Sequence, residues 1–460
     1  MSTSKLLDSE PDARDHAAHR THRIKLAALT SIASKVVTIA LQVFALPLAL
    51  HALGVAKFGV YEMLGATLSW VTMAQVGIGP GLTLGISTSV AKGDTSAQSR
   101  YFSSALYMVG TVVAALCLVL LMCIWVLPVA ALFGGKINPS VTPELRLDMT
   151  CLVIFLLTRI ILSVFDAAQA GYQEQYICNL WATLGNILSL IALIFATRIH
   201  PTILTIIVAV NALPIIADVF NAARLIGWSH PALKPKLANF DWVLGKSLLG
   251  NGVAFSTVVA SSYLMYSCSV LLIGRMHGPQ SAATFAVLQQ ACNTALGTVV
   301  MFVQPLWPAL NDAKSRSDRG WAVRASSKVT LFSMAYALAV GLVMAVFGHE
   351  IFKIWYHSRI DITEPLQICF GLYFVLAVWE YVHYNILIGM NNLLVPAVLM
   401  AVRSVVMLAM APFLIDRFGD VGLAAALCLA QVLLSTWIFP LLVKRALSPT
   451  GFGLNLTAAT

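Results

Sequence analysis

Long apolar runs separated by short polar clusters dominate this chain. A helix crossing the roughly 30 Å hydrocarbon core of a bilayer needs about 20 mostly apolar residues. Twelve stretches meet that length: 26–50, 60–84, 102–127, 149–170, 176–197, 202–226, 248–273, 281–308, 324–347, 366–388, 394–415 and 421–443. Each predicts a membrane-spanning α-helix, and only the Ala170-to-Gln175 turn separates the fourth from the fifth. The first 23 residues are polar and of mixed charge, as in a loose tail. His16, His19 and His22 recur there at three-residue spacing, but with no structured shell they read as solvated residues, not a metal site. The apolar run that follows is too long for a signal-peptide core and has no small-residue cleavage site, so it is expected to stay as the first span.

The pattern also occurs twice. Gly54 follows the first span and Gly278 the seventh. Each glycine stands seven residues before an aromatic, Tyr61 or Phe285, and 40 before the acidic residue of a basic-acidic turn, Lys92-Gly93-Asp94 or Arg316-Ser317-Asp318. Two parallel six-helix halves account for this match, with coincidence over a few positions as the alternative. The expected division is a tail (1–23), an N-terminal six-helix bundle (24–228), a connector with a C-terminal six-helix bundle (229–446) and a second tail (447–460).

Composition narrows the class. Of 460 residues, 59% are apolar and 11% charged, against about 45–50% and 25% in soluble proteins. A soluble enzyme or a disordered chain is excluded. The net charge of +9 reflects topology and not a nucleic-acid partner. With the N-terminus inside, one set of loops carries 18 Lys and Arg and the other 8, so the positive-inside rule places both termini in the cytoplasm. All eight cysteines fall in apolar runs without CxxC spacing and read as packing residues. The outer loops are short, and no metal cluster, nucleophile with its base or phosphate-cradling loop is present in the sequence. No enzyme activity and no cofactor are expected; translocation is the remaining occupation.

Ionisable side chains at membrane depth cost about 2.5–3.5 kcal/mol each on insertion scales and normally face protein or water. Lys35, Arg159 and Arg403 fall near the middle of the first, fourth and eleventh spans. Lys35 shares a helical face with Ser31, Thr38 and Gln42, and Arg159 shares one with Asp166. Two readings stand: internal ion pairs that fix packing, or a cationic cavity shared by both halves. Asp218 shares a face with Asn211, and Glu380 with His383. These are candidates for ion coupling, or for neutralising the cations. Gln289, Gln290, Asn293 and Gln304 make the eighth span too polar to face lipid; Gln289, Asn293 and Gln304, with Gln42 of the first span, suit the lining of a wet path, with polar packing as the alternative. Gly77-Ile78-Gly79-Pro80-Gly81 predicts irregular backbone in the second span, lining a cavity or allowing close packing.

These residues also carry a resemblance. Leu53-Gly54-Val55-Ala56-Lys57-Phe58-Gly59-Val60-Tyr61, Gln75-Val76-Gly77-Ile78-Gly79-Pro80-Gly81 with Lys92-Gly93-Asp94, Gln304-Pro305-Leu306-Trp307-Pro308-Ala309-Leu310 and, more weakly, Gln169-Ala170-Gly171-Tyr172-Gln173 resemble the polysaccharide-biosynthesis flippases (O-antigen and exopolysaccharide translocases). That family belongs to the multidrug, oligosaccharidyl-lipid and polysaccharide exporter superfamily. The resemblance covers about residues 24 to 446. It implies an all-α integral membrane fold of about 12 helices in two six-helix bundles around a central cavity, working by alternating access. The implied cargo is an undecaprenyl-pyrophosphate-linked oligosaccharide, moved across the bacterial inner membrane; membrane lipid and polysaccharide polymerase machinery are the other implied partners. A cation-coupled multidrug exporter of the same fold is the alternative. That branch typically has acidic residues in its first helix, where this chain has Lys35 and no carboxylate.

Overall fold

The computed structural model describes residues 30, 33–41, 43–69, 71, 79–129, 142–250, 253–356, 360, 362–392 and 394–450. Gln42, Ser31, the tail 1–23 and the Gly77-Ile78 step lie outside the described residues. The described chain is all-helical. Its first half comprises α1 (Ala33–Leu53), α2 (Val55–Leu68), α3 (Gly79–Ala91), α4 (Thr95–Val126), α5 (Thr142–Gly171), α6 (Gln175–Ile199) and α7 (Ile203–Arg224). A short α8 (Trp242–Gly250) leads into α9 (Val253–His277), α10 (Pro279–Val303), α11 (Leu306–Ser315), α12 (Arg319–Trp355), α13 (Glu364–Gly389), α14 (Leu394–Phe418), α15 (Asp420–Ala430) and α16 (Thr436–Ala446). Ten described helices are long and apolar enough to cross a membrane, with α15 and α16 joined as one of them. The two further expected spans fall on α2 with α3, and on the 25-residue α9.

The halves repeat in their turns as well as in their helix order. Gly54 and Gly278 both have positive φ, 75° and 102°, the region glycine enters without steric cost. Each ends one helix and opens the next, α2 or α10. Gly93 and Ser317, 224 positions later like Gly278 after Gly54, share a second turn with φ of 68° and 59°. In both turns the following aspartate reaches back five residues, Asp94 N–H to Ser89 O at 3.0 Å and Asp318 N–H to Ala313 O at 2.9 Å. The same aspartates then cap the next helix, accepting from Ala97 N–H at 2.9 Å and Trp321 N–H at 3.0 Å. Gln173 and Asn391, with φ of 61° and 60°, form the same turn before α6 and α14.

Contact between the halves is concentrated where α2 packs against α9 and α10. A Cβ on Gly59 would lie 1.7 Å from the Pro279 carbonyl oxygen, so the two backbones touch there and only glycine fits. Further along α2, Met63 is fully buried against Gly274. α1 leans on the second half too, its Val43 carbonyl accepting from Trp355 Nε1 at 2.8 Å.

The connector is ordered by polar contacts rather than by length alone. It leaves α7 through one π turn (Leu225–Ser229) and lies along the start of α4. Buried Ser103 and Ser104 accept from the Lys236 and Asp241 backbone N–H groups at 3.3 and 2.9 Å, and Asn239 Nδ2 donates to Ser99 Oγ at 2.7 Å. The Leu244 N–H and the Arg100 guanidinium, 3.1 and 2.7 Å from the Asp241 carboxylate, hold that group below the usual aspartate range. His230 stacks on Tyr172 at 3.7 Å.

Candidate functional site

Each half holds a half-open cavity whose lining mixes aliphatic with polar residues. The first, of about 240 Å³, lies among α1, α2, α5, α6 and α7 and is lined by Thr38, Tyr61, Glu62, Arg159 and Asn186 amid aliphatic residues. Asn186 Nδ2 donates to Thr38 Oγ1 at 3.2 Å, which joins α6 to α1. Arg159 makes no hydrogen bond or ion pair among the described residues, although Asp166 and Asp218 are near enough to act on its charge. The amphipathic logic of α5 explains this placement. Arg159 and Asp166, seven residues apart, share one face of α5, with Asp218 of α7 near enough to act on both.

The second cavity, of about 200 Å³, sits within the other half and is lined by residues that include Tyr266, Gln289, Asn293, Tyr373, Glu380, Arg403 and Gln431. Here Arg403 Nη1 donates to Glu380 Oε2 in an ion pair whose side chains are 4% and 6% exposed. A guanidinium is the cation best suited to such burial, because its planar fork can satisfy a carboxylate directly. Gln289 and Asn293, expected to line a wet path, both face this cavity. Gln431 opens a π turn (Gln431–Ser435) between α15 and α16.

The expected site residues are thus spread over three places. Lys35 Nζ donates to Gln304 Oε1 at 3.2 Å across the two halves, so these two meet each other and not a pyrophosphate-sized cluster of cations. Arg159 faces the first cavity and Arg403 the second. This conformer does not gather the three cations. Nor does it pair Glu380 with His383: the imidazole Nδ1–H donates to the Trp379 carbonyl at 2.8 Å, within its own helix, while Glu380 takes Arg403. Asp218 lies on the α7 side of Arg159 rather than with Glu380.

Glu62 is a site residue that the apolar runs hide. It is the one charged residue in the expected second span, but apolar length starts that span at 60, which leaves Glu62 at its mouth. The helix in fact begins at Val55, five residues earlier, and carries Glu62 to the cavity. The signal that could find it is an ionisable residue of any kind inside an apolar run. Gln431 gives a weaker signal, as one amide in an otherwise apolar span.

No protein-family model matches this sequence, and no curated protein matches it. Solved structures do resemble it. A multidrug resistance MATE family transporter of the MOP superfamily, in an inward-facing conformation, matches with a TM-score of 0.73 at 12% identity, over 91% of this chain and 98% of that one. The lipid II flippase MurJ, inward closed, matches with a TM-score of 0.71 at 12% identity, over 91% and 87%. A MOP superfamily transporter from Pyrococcus furiosus, described as having a binding pocket of reversed polarity, matches with a TM-score of 0.65 at 13% identity, over 93% and 96%. The chain is therefore a multi-pass, all-helical membrane protein with the fold shared by MATE transporters and the MurJ flippase.

Proposed function

We propose that this protein is a flippase that carries an undecaprenyl-pyrophosphate-linked oligosaccharide across the bacterial inner membrane for surface polysaccharide biosynthesis. Its halves, 24–228 and 229–446, would alternate access about the α2 contact, with both termini in the cytoplasm. The observation that carries the reading is Arg159. It is a permanent cation at membrane depth that faces a cavity and makes no hydrogen bond or ion pair among the described residues. An arginine can grip a pyrophosphate oxygen pair bidentately, and a doubly charged head group needs such compensation to leave water. Lys35 supplies a second cation between the halves, held by Gln304 in this conformer. The likeness to MurJ, named a lipid II flippase, supports a lipid-linked cargo. Polysaccharide polymerase machinery is the natural receiver of the product.

The test is complementation of a deletion strain. Arg159→Ala should abolish surface polysaccharide while the protein stays at its normal level by immunoblot, and Arg159→Lys should retain part of it. Full export by a well-expressed Arg159→Ala variant would end this reading. The second reading, a cation-coupled multidrug exporter, draws on the MATE likeness and on Glu62 in the first cavity. It predicts that deletion sensitises cells to lipophilic cations and leaves polysaccharide intact. Orientation is tested separately: a cysteine at Ser317 in a Cys-free background should resist an impermeant thiol reagent in whole cells.

A further inference from the structure

The connector between the halves has a packed side and an open side. On the packed side Leu225 and Leu233 are fully buried, and Ser99, Ser103 and Ser104 of α4 bond to the Asn239 amide and to the Lys236 and Asp241 N–H groups. α8 continues that side: a Cβ on Gly245 would stand 3.6 Å from the Ser104 carbonyl oxygen, and buried Leu248 lies against Gly81 of α3. The open side carries Trp228, Leu237, Trp242 and Val243, which are 80%, 73%, 60% and 77% exposed. Four large apolar side chains bare in so short a stretch mark a surface that is covered by something else.

Their place in the chain points to the cover. The apolar segment Ile203–Ser229 ends at one side of the connector, and α8 leads into α9 at the other. Residues 230–241 therefore run from one spanning segment to the next while tied to α4. Trp228 and Trp242 stand at the two ends of this stretch, and tryptophan favours the layer where acyl chains give way to head groups. The charge there is one-sided. Residues 225–250 hold Lys234, Lys236 and Lys246 against one carboxylate, Asp241, which Arg100 already engages at 2.7 Å. All three lysines are exposed, and no side-chain bond or ion pair holds any of them among the described residues. Lys246 lies four residues from Trp242, on the same face of α8. A lysine can lay its stem on apolar surface and keep its ammonium among head groups. Apolar side chains interleaved with unpaired lysines are matched by an anionic bilayer surface, which offers acyl chain to the first and phosphate to the second.

We propose that the open side of the connector is a docking surface for anionic phospholipid in the leaflet it borders. Lys234, Lys236 and Lys246 take the phosphates, while Trp228, Leu237 and Trp242 enter the acyl boundary. The surface is separate from both cavities and requires no particular cargo, so it goes beyond the flippase reading.

The experiment places a single cysteine at Ala238, exposed beside Leu237, in a Cys-free full chain. The cysteine carries an environment-sensitive fluorophore, and the protein sits in nanodiscs of phosphatidylcholine and phosphatidylglycerol in equal amounts. One lipid or the other has brominated acyl chains, which quench on contact. Brominated phosphatidylglycerol should quench more strongly than brominated phosphatidylcholine, by about twofold or more. The preference should vanish at about 1 M salt, where charges act over only about 3 Å. It should also vanish in Lys234→Gln/Lys236→Gln/Lys246→Gln and persist in the matching triple arginine variant, with all three proteins melting alike. Quenching by neither lipid would overturn the proposal and leave the face to a protein partner. Equal quenching by both, a preference that survives in the glutamine variant, or its loss in the arginine variant would overturn it as well. So would a glutamine variant that melts lower than wild type, since the lysines would then be holding the connector itself.

Discussion

Arg403 of α14 and Glu380 of α13 form a buried ion pair inside the second half, 23 residues apart in sequence. Each is the other's compensation in a place with little water. Removing one partner strands the other, whereas replacing both by apolar groups of similar shape need not be harmful. Arg403→Ala and Glu380→Gln should each destabilise the protein by about 3–5 kcal/mol. The double variant Glu380→Gln/Arg403→Met should recover most of that loss. Melting of the three purified variants completes the cycle, and equal losses that simply add would show that the pair carries no coupling.

Glu62 is the opposite case. It lines the first cavity and has no hydrogen-bonding or ion-pair partner among the described residues, with Tyr266 and Tyr356 its electrostatic neighbours. An unpaired carboxylate at that depth is tolerated when it holds a proton or a cation. Glu62→Gln should therefore leave expression and melting intact while flattening the response of export to an imposed pH gradient. An unchanged response across the gradient series would remove Glu62 from coupling.

The close approach of Gly59 to Pro279 makes a steric prediction. Gly59→Ala must push α2 from α10, at a cost of about 1–3 kcal/mol for an overpacked contact. Gly65, on the same helix, has open space where a Cβ would stand, with nothing within 4 Å. Gly65→Ala should be neutral or stabilising, since alanine is favoured over glycine in helices by about 1 kcal/mol. Spin labels on the two halves should show a longer distance in Gly59→Ala only.

The connector's hold on α4 should depend on pH through Asp241. Its carboxylate is depressed by the Leu244 N–H and by Arg100, so the folded state binds its proton less readily than the unfolded chain. Its contribution is therefore complete above the ordinary aspartate value of about 3.9 and is lost as pH falls through the lower, folded value. Hydrogen exchange of residues 236–244 should accelerate on acidification below that range. Asp241→Asn should show the faster exchange already at neutral pH, and identical profiles in both proteins would exclude the Arg100 contact as the cause.

Much of this architecture is legible along the chain because it is local. Helix positions follow from apolar length, since a bilayer-spanning helix must satisfy its own backbone. The duplicated turns follow from residues that enter positive φ next to a capping aspartate, Gly93-Asp94 and Ser317-Asp318. The presence of Lys35, Arg159, Arg403 and Glu380 at depth is equally plain from sequence, because charge in an apolar run needs no partner to be noticed. Their partners are decided only by tertiary structure. Sequence spacing puts His383 beside Glu380 on one face, yet the imidazole bonds its own helix and the carboxylate crosses to Arg403. Lys35 meets Gln304 across 269 residues. Periodicity reports which side chains share a face; how each helix is rotated and which neighbour it meets depend on packing summed over the whole bundle.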